Sequence, residues 1–412
     1  MKNKIDKKLK KNFRLLLLTS ILSGVSGTGF AATITCTPEA DGSYLPGNVI
    51  PSCNTVSAAT ITQPSTAGFY ILTRSRLYET LIVGNTDVTA NVTGGYGGIG
   101  NQYASGAAGA SISTGDLKFN VTSVEGGAIL GSHSVVNITT KNVDATLTAN
   151  YGGGNSSGGV AQYGLLAGST VISGETLDTG EYSTITTMNL KLNQTTTGGS
   201  TTPILNNGIR AIQGATSNAT LPNGGRGTAG QVIVNGILDM TLTGNRSVGI
   251  YVSGNATNHG VATDRAPVFN ALTPKVILNN DAKIIINKGT GFSFTTWDSH
   301  GIKLGKVRYA GEGPGILESH GNLVIDTTNA LQGGGIKMMR NSILDASDSN
   351  ASTTIKTNGY ALEIGGHDDA ARNGFVLTYE QAASHGLTAS FNNAVFTTNG
   401  TSIDRLITAT GA

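Results

Sequence analysis

One short pattern, glycine–apolar–any–apolar, recurs along the chain as "GGAILG", "YGLLAG", "NGIRAI", "VGIYVS", "HGIKLG", "GGIKMM" and, with tyrosine leading, "YALEIG". The leading residues are Gly127, Gly164, Gly208, Gly249, Gly301, Gly335 and Tyr360, spaced 25 to 52 residues apart. The unit is therefore constant and its connections vary. Its apolar period is two, which is the period of a strand and not of a helix. A second pattern lies between the copies: alternating apolar residues, an Asn/Gly turn, then more alternation. Examples are Val232-Ile233-Val234-Asn235-Gly236 before Asp239–Thr243, and Val276-Ile277-Leu278-Asn279-Asn280 before Lys283–Asn287. Each unit thus holds about three strands, each too short to bury a face alone. Stacking units would bury one continuous core, so the expected fold is all-β and solenoidal. A β-sandwich is the all-β alternative, but it would not repeat one strand at such loose spacing.

Alternation assigns the faces. Ile209, Ile250, Val252, Ile302, Leu304, Ile336, Met338, Leu362 and Ile364 should point inward, with Arg210, Tyr251, Lys303, Lys337 and Glu363 outward. Residues 32–75 hold four prolines and less regular alternation, and are expected to cap the stack. Gly-rich stretches at 94–110, 151–160, 196–202 and 223–230 read as loops, and "TYEQAASHG" (378–386) as a short helix with Thr378 as its N-cap.

Residues 1–31 read as a secretory signal: a basic stretch from Lys2 to Arg14, then an apolar run to about Val25 and small residues before Ala31. Of 27 Lys+Arg and 25 Asp+Glu, seven and one lie in that segment, which leaves 20 and 24 and a net charge of −4. No basic face remains to neutralise phosphates, so nucleic acid is not the expected partner. Charged residues are only 13%, about half the usual share, so hydroxyls and amides must wet the surface. Cys36 and Cys53 follow the signal. In an exported chain such a pair reads as one disulfide, adding about 3 kcal/mol in the chain-entropy model; two free thiols are the alternative.

With the signal segment and the Asn/Gly-bounded three-strand units, "GIYVSGN" (249–255), "GIKLGK" (301–306) and "VIVNGILDMTLTG" (232–244) resemble the passenger domains of pertactin-like autotransporters. The resemblance covers residues 80–412. It implies a right-handed parallel β-helix secreted by a Gram-negative bacterium. It also implies presentation at the cell surface or outer membrane by a C-terminal β-barrel, and adhesin activity toward host-cell or matrix molecules or an extracellular glycan. The chain ends "LITATGA" without alternating membrane strands. The barrel or another outer-membrane translocation partner is then expected outside this chain.

Motifs for chemistry are sparse. "GYGGIG" (95–100) fits Gly-x-Gly-x-x-Gly, but "NQYASGAAGAS" follows it where a dinucleotide site needs a helix. "GTAG" (227–230) and "GTSID" (400–404) echo subtilase blocks, yet Arg226 stands where the histidine belongs. The candidate catalytic cluster is "GGHDDAAR", with His367, Asp368 and Asp369. Two acids beside a histidine suit acid/base work on a glycosidic bond, and the cluster partly resembles the β-helical polygalacturonases. This makes a secreted polysaccharide hydrolase or lyase the second reading. The simpler account is a solvated turn after Ile364. The six histidines are scattered and read as turn residues. No cofactor or metal is expected: "GGRGTAG" places Ala229 where a calcium-binding repeat needs Asp. The adhesin reading places binding on the outward ladder Arg210, Tyr251, Lys303 and Lys337 and on the Gly-rich loops.

Overall fold

Parallel pairing of successive units organises the chain. The strands Ala229–Val234, Leu238–Thr243 and Ser247–Asn255 are followed by Lys275–Leu278, Ala282–Asn287 and Ser299–Leu304, and each of the first three pairs in parallel with its counterpart three strands on. After the two-residue strand Glu312–Gly313, which pairs antiparallel with Ser247–Asn255, the strands Ile316–Ser319, Leu323–Asn329 and Gly333–Met338 continue the same parallel pairing. In this computed structural model the described backbone covers residues 35–36, 55–56, 58–62, 69–72, 81–82, 88–93, 97–100, 111–123, 128–132, 137–151, 161–168, 182–198, 205–213, 229–255, 273–290, 299–305, 312–331, 333–339, 342–365, 388–398 and 407–410. Those residues contain strands, turns and no helix.

Two long sheets result. The front sheet is eleven-stranded and runs from Phe69–Leu72 to Ile407–Thr410. Its strands include the recurring unit. The second sheet is nearly closed and contains two rows of parallel strands. Asn137–Tyr151 and Tyr182–Gly198 run through both rows, while later units break between rows at a turn. This arrangement agrees with a parallel β-helix and with a closed parallel barrel.

The alternation is reproduced in the burial. Leu130, Leu165, Ile209, Ile250, Ile302, Ile336 and Leu362 lie in one register column and are at most 5% exposed. Each contributes about 1.5–3 kcal/mol by leaving water. Of the residues expected inside, Ile364 alone is partly buried, packed at the margin of the core. A facing column on the second sheet is Ala145, Leu192, Met240, Ile284, Ile325 and Ile355.

The glycines explain how the columns meet. A Cβ on Gly249 would sit 2.5 Å from both Ile284 Cγ2 and the Gly301 carbonyl oxygen. On Gly301 it would sit 2.3 Å from Ile325 Cγ2, and on Gly164 2.4 Å from Leu192 Cδ2. Each large facing side chain fills the space of a missing Cβ. The register also corrects two of the repeats. Leu130, not Ala128, aligns with Leu165, so Ile129 takes the glycine position there, and the equivalent facing residue shrinks to Ala145. In the last copy Leu362 aligns with Ile336, so Ala361 rather than Tyr360 is the counterpart of Gly335. Gly164→Ala is expected to cost roughly 1–3 kcal/mol as overpacking. Combined with Leu192→Ala, it should cost at least ~1 kcal/mol less than the sum of the two single changes. Urea denaturation of all four chains measures the coupling.

Polar ladders line the junction between the two rows. Asn189 Nδ2 donates to Asn142 Oδ1 at 2.7 Å, and Asn142 Nδ2 to Asp116 Oδ1 at 2.7 Å. Asn279 Nδ2 donates to Asn235 Oδ1 at 2.8 Å. The Asn residues expected as turn markers thus also tie neighbouring units together.

One expected loop differs. Gly97–Gly100, within the stretch read as a loop, is a front-sheet strand between Phe69–Leu72 and Ala128–Ser132. Within residues 32–75, Ala58–Thr62 and Phe69–Leu72 pair in parallel with Val88–Thr93 and Gly97–Gly100. The expected helix at 378–386 lies outside the described residues.

Candidate functional site

The outward positions of the front-sheet unit form one column: Arg210, Tyr251, Lys303, Lys337 and Glu363 occupy successive strands in register. Strand alternation puts them opposite the aliphatic column, as expected. Their exposure is not as expected. Arg210 and Lys337 are each 6% exposed and Glu363 is 9%, while Tyr251 and Lys303 are half-buried. The physical reason is that the front sheet is covered on both faces: Gly333–Met338 is buried at every position, and Ser299–Leu304 at all but Lys303. Alternation identifies a face but not what lies over it.

Aromatic and polar contacts hold the N-terminal half of the column. The Arg210 guanidinium stacks 3.6 Å from the Tyr251 ring centroid. Its Nη1 donates to the Tyr251 carbonyl at 3.2 Å and its Nη2 to Ser253 Oγ at 2.9 Å. Lys303 Nζ lies 5.2 Å from the same ring. Tyr251 therefore sits between two cations, a geometry in which each contact is worth about 0.5–2 kcal/mol. The field of Arg210 extends to Tyr163, whose phenol burial pushes up and Arg210 partly restores.

The other half is a buried ionic cluster. Lys337 Nζ is 3.1 Å from Glu363 Oε1, and His300 Nε2 is 3.8 Å from Glu363 Oε2. His300 reaches across because its neighbour on the next strand is Gly334, where a Cβ would stand 2.7 Å from His300 Cδ2. His300 was expected at a turn. It lies instead within Ser299–Leu304, 4% exposed, with Nδ1 buried and unpartnered. His320 is an exposed turn residue, as expected. The signal for His300 was present in the sequence, since Val248, His300 and Gly334 occupy the same place in three copies.

Burial by itself would raise the Glu363 carboxyl. His300 and Lys337 outweigh that and hold it at about 2. At 3.8 Å the histidine acts as a close electrostatic neighbour rather than a full hydrogen-bond donor. A carboxylate so held is ionised at neutral pH and is not poised to donate a proton. The sign of its linkage follows from a depressed folded-state value. The stability it contributes is present above the unfolded value of about 4.5 and is lost as pH falls from there through about 2. The loss should total about 3 kcal/mol. Denaturation midpoints measured from pH 6 to 2 should fall through this window, and Glu363→Gln should flatten the profile.

Polar groups also enter the core. Gln194 stands between Leu147 and Leu242 in an otherwise apolar column. It is 1% exposed, and its Nε2 donates to Asn206 Oδ1 at 2.6 Å. Asn206 Nδ2 in turn donates to Ser247 Oγ at 3.0 Å. The sequence reading missed this buried network because an amide in a strand usually faces water.

Of the remaining candidates, His367, Asp368, Asp369 and Cys53 lie outside the described residues. Cys36 lies in the strand Thr35–Cys36, paired with Thr55–Val56, and its side chain is outside the description. The chain matches no family model, no curated protein and no solved structure.

Proposed function

We propose that this chain is a right-handed parallel β-helix that serves as an exported, adhesin-like binding protein of the autotransporter-passenger kind. The observation behind this reading is the parallel pairing of strands that recur, from Ala229 to Met338, in the order row, row, front sheet, each on its counterpart in the next set of three. A chain that passes through those three positions once per turn produces that order. Parallel crossovers are right-handed in about 98% of cases, which supplies the hand. A stacked scaffold of this kind presents long in-register surfaces and variable loops, the parts that recognise partners in repeat proteins. The ligands it suits are host-cell or matrix molecules or an extracellular glycan, with delivery to the surface by an outer-membrane translocation partner. The buried, ion-paired state of Lys337 and the stacking of Arg210 move the expected contact surface from the front column to the second sheet and the loops.

The test uses the full chain and an Asp368→Asn/Asp369→Asn double variant, assayed for adhesion to cultured cells and matrix and for reducing-end release from a polysaccharide panel. Equal adhesion by both chains without cleavage supports the proposal. Cleavage by the parent chain that disappears in the variant would overturn it in favour of a glycan hydrolase.

A further inference from the structure

The second row of the nearly closed sheet presents an exposed face with an ordered charge pattern. Lys118, Asp144, Lys191, Asp239 and Lys283 are register partners on five successive strands. All are exposed or half-exposed, and the signs alternate without a break. Beside this column, two residues along each strand, stand Asn120, Thr146, Asn193 and Thr241, and then Thr122, Thr148, Thr195 and Thr243. Within the chain the alternation has a local use, because opposite charges on adjacent strands attract and like charges repel. Lys191 Nζ lies 3.5 Å from Asp144 Oδ2, with both side chains about half exposed. Such exposed pairs are worth ~0–1 kcal/mol.

An alternating column has a second property: it is complementary to its own reversed copy. Consider two copies face to face, related by a two-fold axis lying in the interface along the strand direction. The axis keeps each column opposite its own counterpart and reverses the order of strands. An axis through a strand opposes every charge to its like. An axis midway between strands opposes every charge to its opposite. We infer that this face is a self-association surface whose partner is a second copy of the same chain in antiparallel register. With the axis between the Lys191 and Asp239 strands, Lys191 meets Asp239 of the second copy and Asp144 meets its Lys283. Symmetry doubles both contacts to four ion pairs. In the same register Thr195 lies opposite Thr243, a pair small enough for close sheet-on-sheet approach.

The size is adequate. Eight strands of this row, from Val88–Thr93 to Thr353–Thr357, overlap in that register. At ~4.8 Å between strands and ~7 Å between outward side chains, the shared face is roughly 700 Å² per copy, near the ~800 Å² per partner of a standard interface. Most of it is polar, so the association should be moderate and strongly salt-dependent.

Sedimentation velocity of the full chain tests this. A species of twice the chain mass should appear between ~1 and 100 µM at ~50 mM NaCl, with apparent affinity at least ~10-fold weaker at ~500 mM. Two charge variants make the test specific. Asp144→Lys/Asp239→Lys gives a wholly basic column, and Lys191→Glu/Lys283→Glu makes four of its five positions acidic. Each alone should be monomeric, and an equimolar mixture should recover the dimer, since all four pairs are again complementary. Thr195→Arg, which blocks close approach while leaving the charges in place, should also abolish association and decides the matter if the charge variants fail to fold by circular dichroism. A parent chain that is monomeric under all these conditions overturns the inference, as does a dimer that survives the charge variants or Thr195→Arg.

Discussion

Ile302→Asp should lower the urea midpoint of this protein more than any other single change considered. Ile302 is fully buried between Ile250 and Ile336 in the aliphatic column. Losing the side chain alone costs about 2–5 kcal/mol, and an aspartate in its place must either ionise without a partner or be held protonated. The combined loss is comparable with the ~5–15 kcal/mol that keeps an ordinary domain folded. In a stacked architecture the damage should be concentrated in the neighbouring units, so the transition should broaden as well as shift. Lys303→Ala is the control: it removes a half-buried cation from the face of the Tyr251 ring and should cost about 1 kcal/mol. Circular dichroism against urea separates the two, and equal midpoints would show the assigned register to be wrong.

Lys337→Ala should be the next most damaging. It leaves the buried Glu363 carboxylate with His300, at 3.8 Å, as its remaining ion-pair neighbour among the described residues. Removing one member of a buried pair typically costs about 3–5 kcal/mol, mainly through the charge left behind. Replacing both members, as Lys337→Met with Glu363→Leu, should recover most of that loss, because the desolvation cost of both ions disappears with their attraction. Thermal or urea unfolding of the parent, both single variants and the double variant gives the coupling directly. A double variant no better than Lys337→Ala would mean that the pair is not the source of the loss.

What was legible in the sequence was local. The period of two in "GIKL" and "GIYV" identified the strands, and Asn235 and Asn279 marked turns that the structure places at the junction of the two rows. Where the reading slipped, the missing information lay in a neighbouring strand. Glycine served as the marker of each repeat, yet the position tolerates Ile129 when the facing residue is Ala145, a compensation invisible until the two columns are set against each other. His300, flanked by Ser299 and Gly301, looks like a turn residue in isolation and is a strand residue only by its pairing with Val248 and Gly334. The front column Arg210–Tyr251–Lys303–Lys337 was correctly aligned but wrongly expected to be open to solvent. Alternation counts residues along one strand and is blind to what lies over its outer face.

The lateral pairing also governs how the molecule responds to a broken backbone. Ser247–Asn255 is held by hydrogen bonds to Leu205–Ile212 on one side and Ser299–Leu304 on the other, whereas only a single covalent thread passes from Asn255 to Thr273. Cutting that thread would remove none of these bonds. A protease acting between those residues should therefore yield two polypeptides that separate in detergent but travel as one particle in native gels. Continuity along the chain and cohesion of the fold are thus largely independent, much as a laminated board keeps its strength when one ply is sawn through.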